Sequence, residues 1–278
     1  MSVSGEEPEM VIPLHRLPSG FAESVDRPPE HAAEPRPAAT AVLVRDGGRA
    51  PEILLLKRHR SAGFVPGAYV FPGGRVDDAD GDVALIEMLG RRPHGPDASY
   101  WLAVVREVFE ETGVLLARSM DGVACRDASA DEALARWRDA LLAGDATLVD
   151  VMRAERLRPD ISRMVYCSHW ITPVAEPKRY DTRFFLAELP AGCAATIDER
   201  EMSDALWLTA DTALAEFQRG ALPMVFPTVK TIQMLQPYES VDQMLAVFRG
   251  ADIPAVLPRL VRTKDGVGIV VPPASDDS

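Results

Sequence analysis

Forty-three residues, from Phe71 to Gly113, constrain this chain more than any others. They open with Phe71-Pro72-Gly73-Gly74 and close with Arg106-Glu107-Val108-Phe109-Glu110-Glu111-Thr112-Gly113. At helical spacing Glu107, Glu110 and Glu111 project from one face, three and four residues apart. Like charges so placed weaken an isolated helix by roughly 0.2–0.5 kcal/mol per pair. A bridging dication reverses that effect. Hard carboxylate oxygens suit Mg²⁺ or Mn²⁺ better than zinc. Arg106, adjacent in sequence, is placed to hold a carboxylate in position.

The plain alternative is a solvated acidic helix face. The neighbours argue against it: Leu102, Val105 and Phe109 within the run, then Val114-Leu115-Leu116 beyond it. A helix with that apolar content packs into a core, so its acidic stripe faces a cleft or rim. Gly113 stands where a helix-ending glycine belongs. Gly73-Gly74 allow a tight turn whose carbonyls can approach a ligand.

These residues resemble the Nudix hydrolase box, Gly-x5-Glu-x7-Arg-Glu-U-x-Glu-Glu-x-Gly-U, where U is a bulky aliphatic. Gly74 matches its first glycine. Arg106, Glu107, Val108, Glu110, Glu111, Gly113 and Val114 match its second half without a mismatch. The middle departs: Arg106 lies thirty-two residues beyond Gly74 instead of fourteen, and the sixth position after Gly74 is Asp80 rather than Glu. In the family that glutamate is mostly structural, so the resemblance leaves the metal site intact. An insertion here, behind Phe-Pro-Gly-Gly, is similar to the coenzyme A diphosphatase branch, the peroxisomal type-19-like enzymes. Leu55-Leu56-Lys57-Arg58-His59-Arg60 is loosely similar to the coenzyme A signature, at a different spacing.

Composition bounds the rest. At 278 residues with 47 % hydrophobic content the chain can bury a substantial core. No run approaches eighteen apolar residues, so no membrane span is expected. The acidic N-terminal stretch lacks a signal-like apolar run, and Pro273 to Ser278 carries no peroxisomal tripeptide; a cytoplasmic location is expected. Cys125, Cys167 and Cys193 are scattered and read as buried or free thiols. The five histidines form no close ligand pair, which argues against zinc. A net charge of −12 argues against a nucleic-acid polymer as partner. A small phosphorylated substrate needs only a local basic patch. A homodimer is compatible with all of this.

Residues 1–37 read as an extended arm rich in Pro, Glu and Ala, and 38–278 as one domain. Within it lie an insertion at 77–96, a helical elaboration at 129–157 and an extension at 221–278. Strands are predicted at Ala39 to Val44, Glu52 to Lys57, Tyr69 to Phe71, Met164 to Thr172, Arg183 to Ala187 and Leu206 to Thr209. The insertion predicts a short helix over Val83 to Leu89. The box helix should start near Asp97 or Ser99. Ser129-x-x-Glu132 reads as a capping box opening a helix to Ala143. Helices are expected at Phe226 to Leu235 and Val241 to Arg249, and a hairpin around Lys264-Asp265-Gly266. The fold class is α/β, which the resemblance specifies as an α/β/α sandwich around a mixed sheet.

The resemblance implies a metal-dependent hydrolase of nucleoside diphosphates linked to another moiety, with coenzyme A or acyl-coenzyme A the leading substrate. Alternatives are a nucleotide-sugar or dinucleotide pyrophosphatase, or a non-catalytic nucleotide-binding module. Glu107, Glu110 and Glu111 would hold Mg²⁺ or Mn²⁺, with the Gly73 carbonyl a further ligand and Arg106 beside them. Glu201, before the last core strand, is a candidate general base; a surface acidic turn is the competing reading. Arg58 and Arg60 are candidate phosphate contacts, against a solvated strand end. Arg183, near Lys178 and Arg179, is a further candidate, against ordinary strand-edge solubility. Trp170 and Trp207 read as core.

Overall fold

The computed structural model describes residues 7–27, 30–59, 66–120 and 127–272. Arg60, Cys125 and the stretch from Pro273 to Ser278 lie outside the described residues. The chain divides into two compact units. One takes Met1–Pro37, His169–Thr182 and Pro254–Ser278; the other takes Ala38–Ser168 and Arg183–Ile253.

In chain order the first half carries β1 (Met10–Pro13), α1 (Phe21–Val25), β2 (Arg36–Asp46), β3 (Pro51–Arg58), β4 (Tyr69–Val70), β5 (Gly73–Arg75), α2 (Val83–Met88), α3 (Ala98–Thr112) and β6 (Ala117–Ser119). Next come α4 (Glu132–Ala143), α5 (Leu148–Ala154), β7 (Leu157–Pro159), β8 (Met164–Ile171), β9 (Tyr180–Glu188) and β10 (Met202–Thr209). The chain continues with α6 (Ala210–Gln218), α7 (Phe226–Leu235), α8 (Val241–Phe248), β11 (Arg259–Arg262) and β12 (Gly266–Val270).

The smaller unit is built on a three-stranded sheet of order β1-β12-β11. The expected hairpin is there, with Arg262 opposite Val267. The arm differs from expectation. Met10 to Pro13 form a strand whose register runs from Met10 opposite Ile269 to Pro13 opposite Gly266. A four-residue strand has no local signal of its own; its partner lies at the other end of the sequence. Arg262 ties α1 to this sheet through Asp26, at 3.1 Å.

The larger unit is organised by a sheet of order β10-β3-β2-β9-β8, with β4 on β3 and β5 on β2. β2 is antiparallel to β3. It runs parallel to β9: the amide of Arg36 meets the carbonyl of Arg179, and the amide of Leu189 meets the carbonyl of Val44. The sheet is therefore mixed. Its central strands are apolar on both faces, the mark of a sheet covered on both sides. Ala39, Ala41, Leu43, Leu54 and Leu56 face a core shared with α3. The alternate residues Val42, Val44, Ile53 and Leu55 are equally buried. On α3, Trp101 packs edge-on against Phe185 of β9, ring centres 4.8 Å apart. α6 packs on β3 and β10, and α7 on α6.

Two local expectations change. The cap of α4 is Asp131, whose carboxylate accepts from the amides of Ala133 and Leu134. Ser129 is drawn instead to Asp127. β6 and β7, three residues each, form a small separate sheet whose brevity hides it in the sequence.

Candidate active site

The site is built on α3. Its β-branched valines are indifferent helix formers, so burial rather than propensity sustains it. Ten of its fifteen residues are buried, from Trp101 to Thr112. Each of its last four carbonyls, the groups a helix leaves unbonded, finds a partner. Phe109 O accepts from Gly113 N at 2.9 Å, with Gly113 at φ +71° as the helix-ending glycine expected there. Glu110 O accepts from Arg138 Nε at 2.9 Å. Glu111 O accepts from Asp198 N at 3.2 Å, and Thr112 O from Thr196 N at 2.7 Å. The loop before β10 is thereby fastened to the acidic end of α3.

Arg106 is the hub. Its Nε and Nη2 donate to Asp80 at 2.9 and 2.8 Å, and Nη2 also donates to Arg75 O at 2.8 Å. Nη1 donates to Glu107 at 2.8 Å and Glu110 at 3.1 Å. Burial works against its charge, yet the hydrogen bonds to Asp80 and the fields of Glu107, Asp80 and Glu110 outweigh it and raise the guanidinium above its usual pKa. Asp80 is 1 % exposed. It belongs to a single 3₁₀ turn, Asp78–Gly81, opened by a capping box between Asp77 and Asp80. Asp80 thus performs the structural work that the departed box glutamate suggested was missing. Nothing in the sequence singles it out beyond its place six residues after Gly74.

The three glutamates sit close together despite their like charge. Glu107 packs against Gly74: a Cβ at that position would collide with its carboxylate, so a side chain there displaces Glu107. Burial pushes Glu107 up to about 7, with Glu110 adding to the rise and Arg106 opposing it. Burial likewise raises Glu110, again against Arg106. Glu111 is buried and raised well above the ordinary carboxylate range, by burial first and then by Glu107. The amide of Gly73 donates to its Oε2 at 3.0 Å and partly offsets that rise. Glu201 raises Glu111 further and Arg58 lowers it, which places both side chains within electrostatic reach.

The expected site residues therefore divide. Glu107, Glu110, Glu111, Arg106 and Gly73 form one cluster, with Glu201 and Arg58 acting on it. The contact of Gly73 is through its amide rather than its carbonyl. Glu201 is exposed, and its carbonyl accepts from His59 N at 2.9 Å. The Nε of Arg58 is buried with no hydrogen-bond partner. Arg183 lies instead over the ring of Tyr100, 4.1 Å from its centre. Tyr100 precedes Glu107 by seven residues, roughly 10 Å along the helix. Arg179 is committed to the carbonyls of Thr172 and Ala33. Trp170 is buried and Trp207 packs under Arg45, so neither offers a stacking platform.

Three carboxyl groups, Asp80, Glu107 and Glu110, share one guanidinium, and Glu111 stands beside them on the amide of Gly73. The three glutamates also crowd the C-terminal half of a helix, the end whose dipole disfavours anions. This donor set of hard oxygens with surplus negative charge fits a divalent cation. Among the described residues no three of these carboxylates converge on one point. Arg106 Nη1 stands between Glu107 and Glu110, and Glu111 is turned to Gly73. A cation at this cluster competes with Arg106 Nη1 for the two outer glutamates. The insertion walls a separate cavity of about 780 Å³ with the first turn of α3, from Gly81 and Ile86 to Ser99.

A family model for the NUDT19 Nudix domain matches residues 91–235, just over half of the chain and all of α3. The chain is 24 % identical over 265 residues to the acyl-coenzyme A diphosphatase NUDT19 of Xenopus laevis, covering 80 % of this chain and 70 % of the relative. It is 26 % identical over 265 residues to the Homo sapiens enzyme of the same name, covering 79 % and 70 %. Among solved structures, a NUDIX hydrolase from Alicyclobacillus acidocaldarius superposes with a TM-score of 0.66 at 28 % identity, over 79 % of this chain and 99 % of that one. No helix among the described residues is long and apolar enough to cross a membrane.

Proposed function

The chain belongs to the NUDT19 Nudix family, and from that premise we propose that it hydrolyses the diphosphate of coenzyme A or its acyl esters. The reaction adds water across the P–O–P linkage and yields 3′,5′-ADP and (acyl-)phosphopantetheine. The observation that carries the reading is the cluster of Glu107, Glu110 and Glu111 at the acidic end of α3, the first two held by Arg106 and the third by the amide of Gly73. The relatives named as acyl-coenzyme A diphosphatases support the substrate.

Glu107, Glu110 and Glu111 would hold Mg²⁺ or Mn²⁺. Such an ion supplies charge neutralisation for the diphosphate and a lowered pKa for a bound water. Arg106, fixed by Asp80, positions Glu107 and Glu110. Gly74 leaves room for Glu107, and the Gly73 amide holds Glu111. Arg58, within electrostatic reach of Glu111, is our candidate contact for a phosphate oxygen. Glu201 is our candidate base: it is exposed, hence able to exchange its proton with water, and it lies within electrostatic reach of Glu111. The buried free thiol of Cys167 supports a reducing, cytoplasmic setting.

The test is incubation of the chain with coenzyme A, acetyl-coenzyme A, a nucleotide sugar and a dinucleotide polyphosphate, with Mg²⁺ or Mn²⁺, read by product mass. The coenzymes should be cleaved fastest. Turnover of the nucleotide sugar or dinucleotide alone overturns the substrate.

A further inference from the structure

The small sheet of β6 and β7 carries an arrangement that the acid cluster does not use. Its register sets Arg118 directly opposite Arg158, between the pairs Ala117 with Pro159 and Ser119 with Leu157. Directly opposed residues share a face, with Cβ atoms about 4.5–5.5 Å apart, and like charges there repel. In both side chains Nε is buried without a hydrogen-bond partner. Strand arginines ordinarily reach for solvent or a carboxylate. A buried donor left without a partner is costly to the fold. The fold therefore places two uncompensated donors and a repulsion at one spot.

A third arginine joins them. Arg91, in the segment following α2, donates Nη2 to the carbonyl of Ile161 at 3.3 Å. Arg91, Arg118 and Arg158 line one cavity of about 160 Å³ together with Asp160. Asp160 is partly engaged by its own turn, its Oδ1 accepting from Ser162 N at 3.0 Å. Three guanidiniums against one carboxylate leave a surplus of two positive charges in a chain whose net charge is −12.

We propose that this cavity is a binding site for a phosphate group, separate from the acid cluster. A phosphate monoester carries about −1.5 to −2 at neutral pH, which matches the surplus. Its oxygens suit forked guanidinium donors. Water occupies about 30 Å³ per molecule in the liquid, so the cavity has the volume of about five waters. That accommodates a tetrahedral oxyanion and excludes a nucleoside. The site goes beyond the proposed hydrolysis and does not depend on it. The phosphate is either free in solution or a terminal phosphate of the substrate.

The experiment titrates inorganic phosphate into the full chain in metal-free buffer, with ionic strength held constant by chloride. Thermal stability and heat of binding are the readouts. The wild type should bind saturably and gain Tm. Arg118→Gln with Arg158→Gln should lose that response, while its Tm without phosphate stays equal or rises because repulsion is relieved. A wild type indifferent to phosphate beyond chloride overturns the site, and so does a double variant with an unchanged response. Arg91→Gln covers the case of a double variant that fails to fold: Arg91 is exposed, and its loss should weaken phosphate about tenfold. Unchanged affinity in Arg91→Gln overturns the site as well. Kinetics then name the occupant. A KM raised about tenfold by Arg91→Gln for coenzyme A but not for 3′-dephospho-coenzyme A assigns the substrate's phosphate. Unchanged KM values with phosphate binding intact in the wild type assign free phosphate. Absence of hydrolysis of either coenzyme defeats the substrate reading and leaves the phosphate titration to decide this site.

Discussion

Asp80 grips Arg106 with two hydrogen bonds, at 2.9 and 2.8 Å, and both side chains are buried. The pair joins the insertion to the acidic helix. It leaves Nη1 alone to face Glu107 and Glu110. The first turn of the insertion is therefore part of the site's frame, and the insertion cannot be trimmed from Asp77 without loosening Arg106.

Replacing Asp80 with Ala should destabilise the fold by about 3 kcal/mol, the low end for breaking a buried ion pair, since Arg106 keeps two other carboxylates. Urea unfolding measures it. Activity should fall too, because the freed guanidinium turns fully onto Glu107 and Glu110. Asp80→Ala with wild-type stability and turnover would show that the grip is dispensable.

Glu110→Gln and Glu111→Gln should each lose about 10²-fold or more in kcat while staying folded. The amide keeps the shape of the acid and removes its charge. Without metal both variants should be at least as thermostable as the wild type, since crowding of negative charge is relieved. Near wild-type turnover at saturating Mg²⁺ removes these residues from the site.

Gly74→Ala tests the close approach to Glu107. The new methyl would collide with the carboxylate and push it from its place. A loss of about tenfold or more in kcat at saturating metal is expected, with secondary structure unchanged by circular dichroism. Gly81→Ala is the control: a methyl there would meet nothing within 4 Å. It should change stability by less than about 0.5 kcal/mol.

The metal-free protein should lose stability as pH rises. Burial raises Glu107 to about 7, and raises Glu110 and Glu111 as well. Between the unfolded carboxylate range near pH 4.5 and the folded values, the native state binds more protons than the unfolded one. Stability then falls with increasing pH through that window. Tm in EDTA should be higher at about pH 5.5 than at about pH 8, and added Mn²⁺ should raise it more at the higher pH. A metal-free Tm that climbs across that interval contradicts the burial of these charges.

The acidic helix α3 is legible in the sequence because its signals are local. Asp97, Gly113 and the apolar spacing between them mark its ends and its buried face. The two central strands are legible because Ala39 to Val44 and Ile53 to Leu56 are almost wholly apolar. What stays hidden depends on distant partners. β1 exists because Met10 to Pro13 meet Gly266 to Ile269. Asp80 counts because the chain returns Arg106 to it. The opposed pair Arg118 and Arg158 emerges only once β6 and β7 are in register. Arg183 groups with the phosphate contacts by residue type alone, and its place over Tyr100 is set by how β9 lies against α3.

The central claim is that the glutamates of α3 hold a divalent cation. Calorimetric titration of Mn²⁺ into the wild type and into Glu107→Gln with Glu111→Gln, at mildly alkaline pH, tests it most directly. The account predicts saturable binding by the wild type, lost or weakened by about 10²-fold or more in the double variant. Equal Mn²⁺ affinity in the two folded proteins would contradict it.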